Sequence, residues 1–338
     1  MAIIKKIGIL VILCFIFFSS PAEAETPLPG RYSFSLSPLF GMLHGQAREI
    51  VYRDRSSNQY LSELLWDVKP LIYVGLAADF GPRDPFESHG FIAAASIRFG
   101  LPFRSGNHEN RDWLNPNETW LTHFSRHDVY IQNAILLDIS AGYSWRLTHS
   151  LALRAFAEFS FMHFSWSGEN GFIQYPAPRS DRDFPPWNNN LPRRNLYGMV
   201  IRYSQNWFIF APGFSLKWRL ERRLSLEGRF SYTPLILCSA RDDHLFFLDD
   251  HGWGRRTFWD YMSFGHYING GGGLILSPRN NLDITFFILY RHITGTRGIT
   301  YLQDNHLGQT SRTSTGAGAG FSALDISLAA RIRLSGQN

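Results

Sequence analysis

Apolar and polar residues alternate with a period of two in several stretches of this chain. In the clearest stretch, 324–334, every second residue is apolar, whereas Asp325, Arg331 and Arg333 lie between the apolar positions. Successive residues of a β-strand point to opposite faces, so one face of this strand would meet lipid and the other a polar interior. The same alternation recurs in residues 135–146, 224–232 and 282–291.

Weaker alternation brings the total to ten predicted strands. These additional strands start near Tyr32, Leu71, Phe91, Leu151, Phe208 and Tyr267. Short turns alternate with five long polar segments, which cover residues 44–62, 104–128, 167–195, 240–257 and 294–315. Short periplasmic turns and long external loops are typical of outer-membrane barrels. The fold class predicted is therefore all-β, a single antiparallel transmembrane β-barrel of about ten strands with long extracellular loops.

The N-terminus has the pattern of a secretory signal peptide. Lys5 and Lys6 precede an apolar run over residues 7–18, and Ala22-Glu23-Ala24 has small residues at the positions of a cleavage site. We expect residues 1–24 to be removed and residues 25–338 to form one barrel domain. A retained N-terminal anchor is the alternative, but the run is shorter than the ~20 residues of a spanning helix.

Composition and charge narrow the class further. Cys14 would leave with the signal, so Cys238 would be the single cysteine of the mature chain, and an internal disulfide is excluded. Aromatic residues form 15% of the sequence, as expected for girdles at the two lipid interfaces. The formal net charge of +5 is too mild to indicate nucleic acid as a partner. Outer-membrane lipid is the partner that the barrel implies.

Two polar segments hold residues that could perform chemistry. Asp242 and His244 are two positions apart near the end of a predicted strand, so both would point the same way. A carboxylate beside an imidazole can orient the ring as a general base. A carboxylate in the other segment, residues 109–113, could hold a water, which predicts a hydrolase without metal or other cofactor. A solvated loop without chemistry is the alternative.

Several short motifs, taken in order, resemble those of the omptins, a family of outer-membrane endopeptidases on ten-stranded barrels. They cover nearly the whole mature chain. The motifs are residues 43–52 (LHGQAREIVY), 62–66 (SELLW), 111–113 (RDW), 119–120 (TW), 125–127 (SRH), 242–244 (DDH), 294–298 (TGTRG) and 316–318 (GAG).

The resemblance implies an active site of two acids in one loop and an Asp–His pair in another. Carried over by position, Asp242 and His244 are the pair, Asp112 is the second acid, and the first acid falls on Asn110. An amide can bind water but can neither carry negative charge nor accept a proton. We therefore expect weak turnover, with Asn110 as the limiting residue, unless a shifted loop brings Glu109 into its place.

The resemblance also implies binding of peptide or protein substrates at basic residues. The family's pocket uses two acids, of which Glu49 matches one and Ala240 stands at the other. One acid alone would give half the charge assistance. Where the family binds lipopolysaccharide, this chain has Ala157, Phe159 and Phe161. These are lipid-facing residue types, so a lipopolysaccharide requirement is not carried over.

The function predicted is an omptin-like endopeptidase of the bacterial outer membrane, with its site facing the exterior. One alternative is a barrel of the same fold that has weak or no catalysis and acts in adhesion or binding, which Asn110 and Ala240 favour. Another is a porin. Ten strands enclose a narrow, filled interior rather than a wide pore, which places the porin last.

Overall fold

A computed structural model describes residues 32–116, 118–180, 183–249, 252–304 and 308–334. The predicted signal peptide, residues 1–24, lies outside these ranges. Within them no helix is long and apolar enough to cross a membrane.

The described part of the chain contains fifteen β-strand segments. They are β1 Tyr32–Tyr52, β2 Tyr60–Pro82, β3 Gly90–Gly100, β4 Phe103–Asp112, β5 His123–Arg146, β6 Leu151–Gln174, β7 Arg194–Asn195, β8 Met199–Glu221, β9 Leu224–Thr233, β10 Ile236–Asp249, β11 Gly252–Ser263, β12 His266–Arg279, β13 Leu282–Thr294, β14 Arg297–Asp304 and β15 Gln309–Leu334.

These segments form a ring of ten antiparallel wall strands. Four pairs of segments are each one wall strand with a short interruption: β3 with β4, β9 with β10, β11 with β12, and β13 with β14. The two-residue β7 only extends the sheet beside β6, so fifteen segments less five give ten. β15 pairs with β1 from Phe34–Leu334 to Tyr52–Gly316, which closes the ring. The predicted ten-stranded barrel is confirmed.

Alternation along the strands separates a lipid-facing belt from a polar interior, as predicted. On β15, Leu324, Leu328 and Ile332 are 39–49% exposed on the outside, whereas Asp325 is only 2% exposed. A closed ring pairs the backbone groups of its strands with one another, which is what allows a barrel to cross lipid.

Buried ion pairs and large aromatic rings fill the interior. Asp325 accepts hydrogen bonds from Tyr73 Oη at 2.6 Å and from Arg98 Nη1 at 2.8 Å, and Arg98 also pairs with Asp138. Towards one end of the barrel the interior is filled by fully buried rings: Trp66, Trp166, Trp207, Tyr203, Phe164 and Phe321. In the described part of the chain, this packing argues against the wide channel of a porin.

The strands continue far beyond the lipid-facing belt at one end, which we call the extended rim. β1 runs to Tyr52 and β4 to Asp112, whereas the last strongly exposed apolar residues near them are Met42 and Leu101. The loops predicted over residues 44–62 and 104–128 are therefore shorter than expected. Above the belt the outward face of a strand no longer meets lipid, so the alternation fades although strand pairing continues.

Candidate active site

One side of the candidate site lies on β4, where strand geometry brings Asn110 and Asp112 to the same face. Ser62 on β2 is the cross-strand partner of Asp112. Its hydroxyl donates to Asp112 Oδ1 at 2.6 Å and lies 3.0 Å from Asn110 Oδ1. The Asn110 amide donates to Asp112 Oδ2 at 3.3 Å. Hydrogen bonds from Ser62 and Asn110 thus hold both carboxylate oxygens of Asp112 in place.

The other side lies on β10, four wall strands further around the ring. Asp242 and His244 are two residues apart, and His244 Nε2 lies 2.6 Å from Asp242 Oδ2. Asp242 is only 2% exposed, and its second oxygen, Oδ1, is buried without a hydrogen-bond partner. The pair has the geometry of a charge-assisted hydrogen bond.

We call the space between these two sides the cleft, and burial and charge shift the pKa values of Asp112 and His244 on either side of it. Burial raises the pKa of Asp112 to about 6, against the opposing effects of the Ser62 hydrogen bond, the positive charge of His244 and the Asn110 hydrogen bond. Burial alone would lower the pKa of His244, but the charge and hydrogen bond of Asp242, aided by Asp112, raise it. Asp112 and His244 therefore stabilise each other's charged forms across the cleft.

Glu49 lies on β1 with its side chain inside the barrel. It is 2% exposed, and its Oε2 atom has no hydrogen-bond partner. Burial raises its pKa well above the ordinary value, and the negative charges of Asp242 and Asp260 raise it further. Ala240, where a second acid would be expected, is buried two residues before Asp242.

Glu109 does not lie with Asn110 and Asp112. It is adjacent to Asn110 on β4 and so points to the opposite face of the strand. Its carboxylate accepts a hydrogen bond from Arg111 Nη2 at 2.7 Å. The loop is therefore not shifted by one residue, and Asn110, not Glu109, lies beside Asp112.

Three further residues at the site received no role from the sequence. Besides Ser62, these are His108 and His127, which are buried and stack with ring centroids 5.7 Å apart. Burial lowers the pKa of both rings, and the positive charge of His244 contributes to both shifts. Ser62 and His127 lie within the family motifs, but a motif match does not say which strand faces which.

An inward-packed barrel that carries an Asp–His pair opposite a half-buried acid at one rim is of the outer-membrane protease type. The omptin family model matches residues 30–334, and the chain belongs to the omptin family. It is 22% identical over 275 residues to the plasminogen activator of Yersinia pestis, covering 78% of this chain and 81% of that protein. Its fold matches the crystal structure of the outer-membrane protease OmpT from Escherichia coli with a TM-score of 0.78 at 19% identity, covering 92% of this chain and 99% of that chain.

Proposed function

We propose that this chain is an endopeptidase that hydrolyses peptide bonds with a water activated between Asp112 and His244. The observation that carries this proposal is the 2.6 Å hydrogen bond from His244 to a buried Asp242, with Asp112 facing it across the cleft. Such a pair keeps an imidazole oriented and stabilises its protonated form.

The hydrogen bond to Asp242 gives His244 Nε2 the proton and makes Nδ1 the proton acceptor. His244 Nδ1 removes a proton from the water, and the resulting hydroxide forms a bond to the carbonyl carbon of the substrate. When the C–N bond breaks, the same proton passes to the leaving amine, and the products are a carboxylic acid and an amine. Asp112 accepts a hydrogen bond from the water and offsets the positive charge of the protonated ring.

Asn110 keeps the geometry of a first acid but not its charge. Its amide holds Asp112 at 3.3 Å, so the amide orients the second acid and adds no negative charge. General-base assistance is typically worth ~10²–10⁴-fold. We therefore expect slow but measurable turnover rather than its complete loss.

Glu49 supports a preference for substrates with arginine or lysine beside the cleaved bond. A buried carboxylate oxygen without a partner is destabilising until a donor reaches it. A long cationic side chain entering from the rim would supply both the donor and the charge.

The test is cleavage of a quenched peptide with a dibasic site by refolded protein. Wild type should cleave it, and His244→Ala should remove the activity. His149→Ala is the matched control, because His149 is exposed in the turn at the opposite end of the barrel. Equal signals from wild type and His244→Ala would overturn the proposal.

A second function, binding or adhesion without turnover, is favoured by Asn110 and Ala240. It predicts that neither wild type nor Asn110→Asp cleaves any peptide of a broad library, whereas basic peptides still bind. Detectable cleavage that requires His244 would exclude this alternative.

We also propose that residues 1–24 are removed and that the extended rim faces the exterior. Support comes from the n-region, apolar run and cleavage pattern of the N-terminus and from the length of the strands beyond the belt. A mature N-terminus at Glu25, and cleavage of peptide added to intact cells, are the expected results. A mature chain that still begins before residue 20, or activity only after cell lysis, would contradict them.

A further inference from the structure

Three buried acids at the extended rim lie close together with little positive charge near them. Glu49, Asp242 and Asp260 are 2%, 2% and 3% exposed, respectively. Beyond the effect of burial, the negative charges of Asp242 and Asp260 raise the pKa of Glu49, and the charge of Asp242 also raises the pKa of Asp260. Within the described ranges, no lysine or arginine lies within salt-bridge distance of Glu49 or Asp260, and Asp242 pairs with His244.

Elsewhere in the interior, acids are paired with arginine side chains. Asp138 is paired with both Arg98 and Arg291, and Arg333 lies 2.6 Å from Asp283. Burying an unpaired charge is unfavourable, and in its lower part the barrel supplies an arginine for each of these acids. The three acids at the rim therefore have the properties of a site that is completed by a cation from outside.

Unfilled hydrogen-bond acceptors support the same conclusion. Glu49 Oε2 and Asp242 Oδ1 are buried and have no partner, which is an unfavourable state unless a ligand donates to them. Among the described residues, no group of three His, Cys, Asp or Glu side chains is arranged to hold a metal ion. An organic cation with several donors fits better than a metal ion.

Asp260 stands directly beside the position where an acid is missing. In the ladder between β10 and β11, Asp260 is the cross-strand partner of Ala240, and both side chains are buried. Such partners have Cβ atoms ~4.5–5.5 Å apart, which is within the reach of one carboxylate group. Thr300 Oγ1 donates to Asp260 Oδ1 at 2.6 Å, which orients the carboxylate, and Oδ2 has no hydrogen-bond partner among the described residues.

We propose that Asp260 is the second acid of the pocket that binds the basic side chain of the substrate, opposite Glu49. The proposal rests on the proposed peptidase function and names the specificity of the same site. The methyl groups of Ala240 and of Ala319, the β15 partner of Glu49, leave room between the acids. A guanidinium group can donate to two carboxylates at once through its planar fork. The pocket therefore has two acids, not the single one that Ala240 led us to expect.

The test compares two quenched peptides that differ only in arginine or citrulline before the cleaved bond. Citrulline has nearly the same shape as arginine but no charge. Asp260→Asn keeps the size of the side chain and should lower kcat/KM for the arginine peptide at least ~10-fold, while the citrulline peptide changes less than ~2-fold. Asp128→Asn, which removes a carboxylate paired with Arg104, is the control and should change neither. An unchanged arginine-to-citrulline ratio in Asp260→Asn would overturn the proposal.

A second variant moves the acid across the ladder. Asp260→Ser combined with Ala240→Asp should retain the preference for arginine. A ratio as low as that of Asp260→Asn would count against the proposal, because charge at this level of the pocket would then not be what selects arginine.

A binding measurement separates this inference from the peptidase function. Arginine amide should bind wild type in calorimetry and should bind Asp260→Asn at least ~10-fold more weakly, each variant being checked for folding by its mobility shift on boiling. If wild type cleaves no peptide but shows this difference, the peptidase proposal fails and the pocket stands. If wild type and Asp260→Asn bind arginine amide equally, or neither binds it, the role of Asp260 is refuted.

Discussion

Asp112→Asn should abolish peptide cleavage and at the same time stabilise the barrel at neutral pH. Asp112 is held in a half-buried network with Ser62 and Asn110, and desolvation is the main cause of its raised pKa. Replacing the carboxylate by an amide removes the charge that is disfavoured there. If Asn110 turns its own amide, the nitrogen of the introduced amide can donate to Asn110 Oδ1. The oxygen of the introduced amide still accepts from Ser62, so no hydrogen bond is lost.

The magnitude follows from the pKa. Folding raises the pKa of Asp112 from its ordinary 3.8 to about 6, so between these pH values the folded state binds more protons than the unfolded state. The free energy of unfolding therefore falls as pH rises through this window and stays lower above it. The difference, 6 − 3.8 = 2.2, corresponds to about 3 kcal/mol at ~1.36 kcal/mol per pKa unit. Because the side chain is partly exposed, solvent screening reduces the expected gain to about 1–2 kcal/mol.

The assay is urea unfolding in micelles at pH 4 and pH 7.5, followed by tryptophan fluorescence. Asp112→Asn should match wild type at pH 4 and exceed it at pH 7.5. Asp54→Asn is the control, because hydrogen bonds from Ser56 and Ser57 lower the pKa of Asp54, so its variant should gain no stability with rising pH. A difference between Asp112→Asn and wild type that is the same at both pH values would refute the reasoning.

Four further expectations concern activity and stability. Asn110→Asp should raise kcat/KM at least ~10-fold, about 1.4 kcal/mol of barrier, because it restores a second acid beside Asp112; a measurable but unchanged rate would contradict this. In wild type, kcat/KM should increase as pH rises through about 6, where Asp112 ionises, and a flat profile between pH 5 and 7 would exclude Asp112 from the ionised machinery. Arg98→Met should destabilise the barrel by about 3–5 kcal/mol in urea unfolding, because it leaves the buried Asp325 and the half-buried Asp138 short of a partner; a loss below ~1 kcal/mol would show that the ionic layer can rearrange. Protein in detergent should be active without lipopolysaccharide, because Phe159 and Phe161 contact the rings of outward-facing phenylalanines; activity that appears only after lipopolysaccharide is added would overturn this.

The barrel could be predicted because each strand that faces lipid shows alternation of apolar and polar residues in its own sequence. On β15 the alternation of Leu324, Asp325 and Ile326 reflects lipid on one side and paired charges on the other. The extension of β1 to Tyr52 and of β4 to Asp112 could not be predicted in the same way. Above the belt neither face meets lipid, so residue polarity no longer reports the strand period.

In the candidate site, too, only the part that lies on a single strand could be predicted from the sequence. Asp242 and His244 are two residues apart on one strand, so their proximity follows from local geometry. The proximity of Glu49 and Asp260 depends instead on the ring order β1, β15, β14, β11, which involves both ends of the chain. Ala240 lies opposite Asp260, but this could be recognised only once the register between β10 and β11 was known.

The seam between β1 and β15 has a consequence for the timing of activity. Glu49 faces Ala319 across this seam, so one wall of the proposed substrate pocket is supplied by the first strand and the adjoining wall by the last. A chain that has crossed the inner membrane but has not yet closed its ring would lack a pocket, whatever the state of Asp242 and His244. If the proposed function holds, closure of the ring would be the step that completes the pocket, and the chain would be inactive until its first and last strands pair.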